Sequence, residues 1–237
     1  MLIKAIQPLS LLDYPGKLST IFFLYGCNFN CPYCHNPELV SPKLRDARRT
    51  IPLHEAMAFL EKRKHLLDGV VVTGGEPCLN PDLPELLSEI KKRGFLVKLD
   101  SNGSMPEMLE LLVEKKLVDY IAMDVKAPLE KYGEVTRIKI NTEKIKQSID
   151  FIKKSGLPHE FRTTVVPSLL NEGDLIKIGE LIQGADAYYL QQFRSDVTLD
   201  PDYANKEAYA MKFFNKMKEK LSPYAKKIGV RGLLQEN

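Results

Sequence analysis

The chain has 237 residues, 44% of them hydrophobic and 27% charged, with a formal charge of +3 at pH 7. That length supports one substantial core or two small ones, and the even mixture of lysine and glutamate excludes a nucleic-acid-binding footprint. The apolar runs are strand-sized, no charged leader with a cleavage site opens the chain, and three of the four cysteines fall in one loop, so neither secretion, membrane spanning nor a disulfide scaffold is expected but a cytoplasmic, reducing setting is.

Leu2 to Ile6 reads as a short strand, followed by a turn-rich segment through Asp13, Pro15 and Gly16. The apolar run Leu18 to Tyr25 predicts a buried strand. It delivers the chain into Gly26-Cys27-Asn28-Phe29-Asn30-Cys31-Pro32-Tyr33-Cys34-His35-Asn36. Pro37, Pro42, Lys43, Arg45, Arg48 and Arg49 predict an exposed connection. Pro52 suits a first helical turn, with Leu53, Met57 and Leu60 at helical spacing behind it, and Val70-Val71-Val72 is a β-branched strand. Asn80 and Pro81 predict the cap and first turn of a helix carrying Leu83, Leu86, Leu87 and Ile90. Gly94 ends it, and Phe95 to Leu99 supplies the next strand.

Ser104 and Glu107 form a capping-box pattern around Pro106, opening a helix with Leu111 and Leu112 inward. Tyr120 to Val125 predicts a strand, a helix with Ile145, Ile149 and Ile152 follows, and Phe161 to Val166 predicts another strand. A helix over Asn171 to Ile182 and a strand over Ala187 to Phe193 repeat the unit. Tyr203 to Leu221 reads as a helix with Phe213, Phe214, Met217 and Leu221 on its apolar side, and the tail from Gly232 is expected to fray. About six strand-helix repeats between Leu18 and Phe193 predict a parallel sheet with helices outside. An open Rossmann-like sheet and a barrel closed fully or partly both satisfy that order.

Cys27, Cys31 and Cys34 are separated by three and then two residues, so their side chains can converge on one centre. Thiolates are soft ligands for zinc or iron-sulfur clusters. A structural zinc would want a fourth ligand, which His35 or Cys78 could supply, whereas three cysteines alone suit a four-iron cluster with one iron open. With Tyr33 just before the last cysteine and a strand ahead of the first, the loop resembles that of the radical S-adenosylmethionine (SAM) superfamily. Cys34-His35-Asn36-Pro37, preceded by Asp13-Tyr14-Pro15-Gly16, narrows the resemblance to the activating enzymes of glycyl radical enzymes. It is closest to the activating proteins of anaerobic ribonucleoside-triphosphate reductase and runs from about Leu9 to Arg194.

The resemblance implies an α/β fold, a partial TIM-like (β/α)6 barrel with a C-terminal helix. It implies one radical SAM domain over 1–237, with a core at about 18–194, an N-terminal extension 1–17 and a C-terminal helical segment 203–221. It also implies a [4Fe-4S] cluster on Cys27, Cys31 and Cys34, and SAM with its adenine near Tyr33.

Polar residues follow the predicted strands, where a parallel barrel presents its site. Gly74-Gly75-Glu76-Pro77 follows the second; its glycines permit close backbone approach to a ligand, and Glu76 or a nearby carbonyl can receive an ammonium. Its position and its likeness to the family's GGE motif mark Gly74, Gly75 and Glu76 as SAM contacts. Ser101-Asn102-Gly103 is both a plausible ribose or carboxylate contact and an ordinary β-to-α turn. Asp124-Val125-Lys126 puts two opposite charges on one side of an extended segment and resembles the activating-enzyme DxK pair that contacts cofactor and substrate peptide; a simple surface ion pair is the alternative. Arg162 on a core strand requires a carboxylate partner, and the cofactor's is one candidate. Gln191, Gln192 and Arg194 follow the sixth strand, and Gln192 is placed at the adenosyl pocket. Cys78 reads as a structural thiol and His35 as a loop organiser; His54, His65 and His159 form no constellation.

The implied activity is reductive cleavage of SAM to a 5'-deoxyadenosyl radical, then removal of a glycine backbone hydrogen from a partner protein, with reduced flavodoxin or ferredoxin as electron donor. No acid-base pair is required, and none is evident. A radical enzyme acting on a small molecule, such as a deazaguanine-forming one, is the enzymatic alternative, and a zinc-stabilised binding module is the alternative of a different class.

Overall fold

The computed structural model describes residues 3–40 and 50–232, so the basic run Lys43 to Arg49 and the tail after Gly232 lie outside the described residues. The chain forms two compact units. The first comprises Met1–Asn28, Glu38–Ser101 and Met105–Ile121, and the second Phe29–Pro37, Asn102–Ser104 and Ala122–Asn237.

In the first unit β1 (Ile3–Ser10) runs antiparallel to β2 (Ser19–Leu24), from Ile3 opposite Leu24 to Ser10 opposite Ser19. The strand is longer than the sequence pattern predicts because Ser10 closes the turn, its hydroxyl accepting from the backbone N–H groups of Leu12 and Asp13. The short α1 (Pro37–Val40) and α2 (Leu53–Glu61) lead to β3 (Gly69–Gly74), which pairs in parallel with β2. Pro52 is the N-cap of α2 rather than part of its first turn. Next, α3 (Leu83–Lys92) buries Leu83, Leu86, Leu87 and Ile90 completely, about 1.5–3 kcal/mol of apolar transfer each. This helix starts at Leu83, after the cap Asp82, because Pro77–Leu79 forms a 3-10 turn and Asn80 bonds back to the Pro77 carbonyl. Gly94 ends it with φ +85°, and β4 (Leu96–Ser101) pairs in parallel with β3.

The helix α4 (Pro106–Glu114) has Met105 at its N-cap, one residue after Ser104, and Met105 itself offers no side-chain cap. Leu109 and Leu112, three apart, are its buried leucines, while Leu111 is only half-buried. β5 (Tyr120–Asp124) carries the chain into the second unit.

There, a 3-10 turn at Leu129–Lys131 and α5 (Tyr132–Thr136) precede α6 (Thr142–Lys154), capped by Asn141 and buried through Ile145, Ile149 and Ile152. β6 (His159–Val165), α7 (Glu172–Leu181) with its Asn171/Asp174 capping box, and β7 (Tyr188–Gln192) follow as the sequence predicts. The last helix, α8 (Met211–Leu221), is eight residues shorter at its start than the pattern indicates. Pro201–Tyr203 is a separate 3-10 turn, and Phe213 is not buried but stacks flat on Tyr209 at 3.7 Å between centroids. A further strand, β8 (Ile228–Arg231), pairs in parallel with β7, as β7 does with β6. Its four residues, all half-buried, were too short a signal to read as a strand.

Strand order follows chain order from β1 to β8. With β1 antiparallel, the sheet is mixed and unclosed, as expected for the partial (β/α) barrel with its C-terminal helix. Among the described residues no helix is long and apolar enough to cross a membrane.

Candidate functional site

In the first unit, the end of β2 and the start of the cysteine loop are set by backbone contacts. The Gly26 N–H donates to the Leu39 carbonyl at 2.9 Å, Gly75 to Leu24 at 3.0 Å and Glu76 to Gly26 at 2.7 Å. A Cβ on Gly74 would overlap the Leu24 backbone, and one on Gly75 would overlap the Gly26 carbonyl and crowd the Cys27 nitrogen. Gly74 also has φ +132°, in the region that favours glycine. The close approach these glycines permit is therefore to the chain's own loop.

Glu76 is fully buried at the end of this run. One of its carboxylate oxygens accepts from the Cys78 N–H at 3.0 Å and the Ser101 hydroxyl at 2.9 Å. The Cys78 thiol is also buried, and burial first, then the neighbouring Glu76 charge, pushes its pKa well above the ordinary value. On the same strand as Ser101, Asp100 is paired with the buried Lys98.

In the second unit, the rest of the loop is pinned at three points. The Asn30 N–H donates to the Thr136 carbonyl at 2.9 Å, the Asp200 N–H donates to the Pro32 carbonyl at 2.9 Å, and His35 Nε2 meets the Arg194 carbonyl at 3.1 Å. Phe29 packs edge-on against Tyr132, whose hydroxyl accepts from the Lys126 N–H at 3.1 Å. Tyr132 thus joins the cysteine loop to the Asp124–Lys126 segment. Neither it nor Thr136 and Asp200 could be found from sequence, since contacts across about 100–170 residues leave no local pattern.

Asp124 takes Lys126 Nζ at 3.0 Å on one oxygen and Arg162 Nε at 2.7 Å on the other. The three side chains are partly buried, at 26%, 17% and 12% exposure. Burial opposes ionisation of Asp124, but the Arg162 and Lys126 charges outweigh it and hold the carboxyl well below its usual range. The carboxylate that Arg162 requires is thus supplied within the chain, and the Asp124–Lys126 pair is part of a triad rather than a surface ion pair.

Cys31 is buried, whereas Cys27 and Cys34 are partly exposed, and none of the three is in a disulfide. Burial pushes the Cys31 thiol up to about 11, against the pull of the nearby Lys126 cation. The buried Tyr33 hydroxyl lies against this thiol yet makes no hydrogen bond of normal geometry. Among the described residues no three His, Cys, Asp or Glu side chains stand ready at cation-holding distances. The donor chemistry nonetheless fits a thiolate-bound cluster: three thiols within eight residues, one beside a lysine that stabilises its anion. Asn102 Oδ1 accepts from the Ser104 N–H at 2.9 Å, the Ser148 hydroxyl donates to the Gly103 carbonyl at 2.7 Å, and the Gln192 amide donates to the Tyr209 carbonyl at 3.0 Å. Asn102 and Gly103 therefore shape a β-to-α turn, and Gln192 ties β7 to the segment before α8.

The family profile of the Radical SAM superfamily matches residues 21–182. A Methanocaldococcus jannaschii protein, provisionally named a glycyl-radical enzyme activating enzyme, is 37% identical over 207 residues, 85% of this chain and 84% of its own. The pyruvate formate-lyase-activating enzyme of Listeria monocytogenes is 28% identical over 76% of this chain and 75% of its own. Among solved structures, Streptococcus suis SuiB bound to precursor peptide SuiA aligns over 90% of this chain with a TM-score of 0.69 at 13% identity, which speaks to fold alone. This chain spans about half (48%) of that one. The fold and the cysteine loop define a radical SAM enzyme, and the chain belongs, within that superfamily, to the family of glycyl-radical-enzyme activating enzymes. Membership implies SAM and an iron-sulfur cluster as cofactors.

Proposed function

We propose that this chain activates a glycyl radical enzyme, with Cys27, Cys31 and Cys34 holding a [4Fe-4S] cluster whose fourth iron takes SAM. The observation that carries the reading is the three-thiol loop, pinned in each unit by backbone hydrogen bonds, in a chain 37% identical to a relative of that name. Bound together, cluster and SAM supply a 5'-deoxyadenosyl radical once an electron arrives from reduced flavodoxin or ferredoxin.

The chain's own residues bind and orient. Glu76, with Gly74 and Gly75 fixing its backbone, and Ser101 with Asn102 line the amino-acid end of SAM; Tyr33 and Gln192 border its adenosyl end. Asp124, Lys126 and Arg162 provide one carboxylate between two cations, a charge pattern suited to a zwitterionic methionyl group and to the backbone of an entering peptide. Asp124 and Lys126 are the residues assigned to the reaction itself. No proton needs to be moved by a side chain, in keeping with a site whose charged groups are already paired. The partner class is anaerobic ribonucleoside-triphosphate reductase, on the strength of the Asp13-Tyr14-Pro15-Gly16 and Cys34-His35-Asn36-Pro37 motifs.

A second reading has one observation behind it. The 7-carboxy-7-deazaguanine synthase of Methanopyrus kandleri is 32% identical, but over only 48% of this chain and 52% of its own. The deciding experiment reduces the reconstituted protein anaerobically with SAM and each candidate partner, then records electron paramagnetic resonance. A glycine-centred signal only with the reductase is expected. SAM cleavage with no radical on any partner protein would overturn the activating role and leave the small-molecule reading standing.

A further inference from the structure

A second charge pair in the second unit belongs to none of the motifs. Glu160 on β6 is fully buried, and its two oxygens accept from the two Nη atoms of Arg231 at 2.6 and 2.8 Å. Arg231 ends β8, and its guanidinium lies over the Tyr189 ring at 3.7 Å from the centroid. The strand register explains the path. Arg162, Tyr189 and Gly229 form one row across β6, β7 and β8, and Thr164, Gln191 and Arg231 the next. Arg231 therefore starts one row beyond Arg162 and runs back over Tyr189 to a residue one row before it. Gly229 makes this possible, since a Cβ there would run into the Tyr189 ring.

Glu160 and Arg162 are two apart on one strand, so their side chains share a face about 7 Å apart. Arg162 thus has two carboxylates within reach: Asp124, which its Nε meets at 2.7 Å, and Glu160 on its own strand. A buried carboxylate without a cation is costly and captures the nearest one. We propose that Arg231 is a positioning residue that occupies both oxygens of Glu160 and so leaves Arg162 to Asp124, fixing the charge arrangement around Lys126. Arginine suits the task because its planar fork covers two oxygens while its face stacks on tyrosine, which an ammonium cannot do. Only the consequence for SAM rests on the function proposed above; the competition for Arg162 does not.

The test uses full-length protein without cluster and follows the Arg162 Nε–H resonance by nuclear magnetic resonance, assigned through its loss in Arg162→Lys. In Arg231→Met the resonance is expected to leave its wild-type position as Arg162 turns to Glu160. In Arg231→Met/Glu160→Gln it returns, and in Glu160→Gln alone it stays. An unmoved resonance in Arg231→Met, with only the melting temperature lowered, would show a merely structural clasp and overturn the proposal, as would failure of the double variant to restore it. Should Arg231→Met not fold, Arg231→Gln, which also removes the cation but keeps a polar side chain, carries the test: a displaced resonance supports the competition and a wild-type position overturns it. In reconstituted protein, SAM affinity is expected to fall about tenfold in Arg231→Met and to recover to within about threefold in the double variant, the scale of one charge-assisted hydrogen bond. A moved resonance with unchanged SAM affinity would instead sink the assignment of Asp124, Lys126 and Arg162 to SAM and leave the positioning role intact.

Discussion

Around Gly74 and Gly75 the first unit is shaped by backbone: two residues without side chains let β3 lie against the run Leu24 to Cys27, and hydrogen bonds from Gly75 and Glu76 hold it there. Around Asp124 the second unit is shaped by charge, with two cations on one carboxylate and a further arginine, Arg231, paired with the buried Glu160. The first arrangement is set by steric exclusion and should be indifferent to pH and salt. The second is a balance of ion pairs and can be shifted by changing one partner.

The contrast breaks most sharply at Gly75. Gly75→Ala places a methyl inside the Gly26 carbonyl, a backbone atom that cannot swing aside, so a loss of about 3 kcal/mol is expected in denaturant unfolding, with iron retention lost alongside. A variant that unfolds and binds iron like the wild type would refute the steric account. Asp124→Asn is expected to cost less, about 2 kcal/mol, because Lys126 and Arg162 are partly solvated. Its pH dependence gives the sign. The folded carboxyl ionises below its unfolded value, so its contribution is full above about pH 4 and is lost as pH falls through the folded value. The stability gap between wild type and Asp124→Asn should therefore stay constant from pH 8 to pH 5 and narrow only in stronger acid; a gap that closes near neutrality would contradict the triad.

What was legible from sequence follows the same division. The strand-helix alternation, the cysteine spacing and the double glycine are local patterns, and β2, β3, α3, β6, α7 and β7 lie within a few residues of where periodicity puts them. The start of α3 is misplaced at Asn80, where a side-chain pattern that usually caps a helix serves a 3-10 turn instead. Asp124 and Lys126 were visible as a pair, but their tie to Arg162, 38 residues away, depends on which strands become neighbours. Tyr132, Glu160 and Arg231 were invisible for the same reason, since an isolated tyrosine, glutamate or arginine carries no periodic signal. The short β8 had four residues, all half-buried, too few to show a period.

The most direct measurement is iron content with electron paramagnetic resonance of the reduced, anaerobically reconstituted protein before and after SAM. Wild type and Cys78→Ala are expected to hold about four irons per chain and to change spectrum on adding SAM, while Cys27→Ala, Cys31→Ala and Cys34→Ala lose both properties. Zinc in place of iron, a full iron complement in the three loop variants, or a spectrum that SAM leaves unmoved would contradict a cluster held by three cysteines with its fourth iron open to SAM.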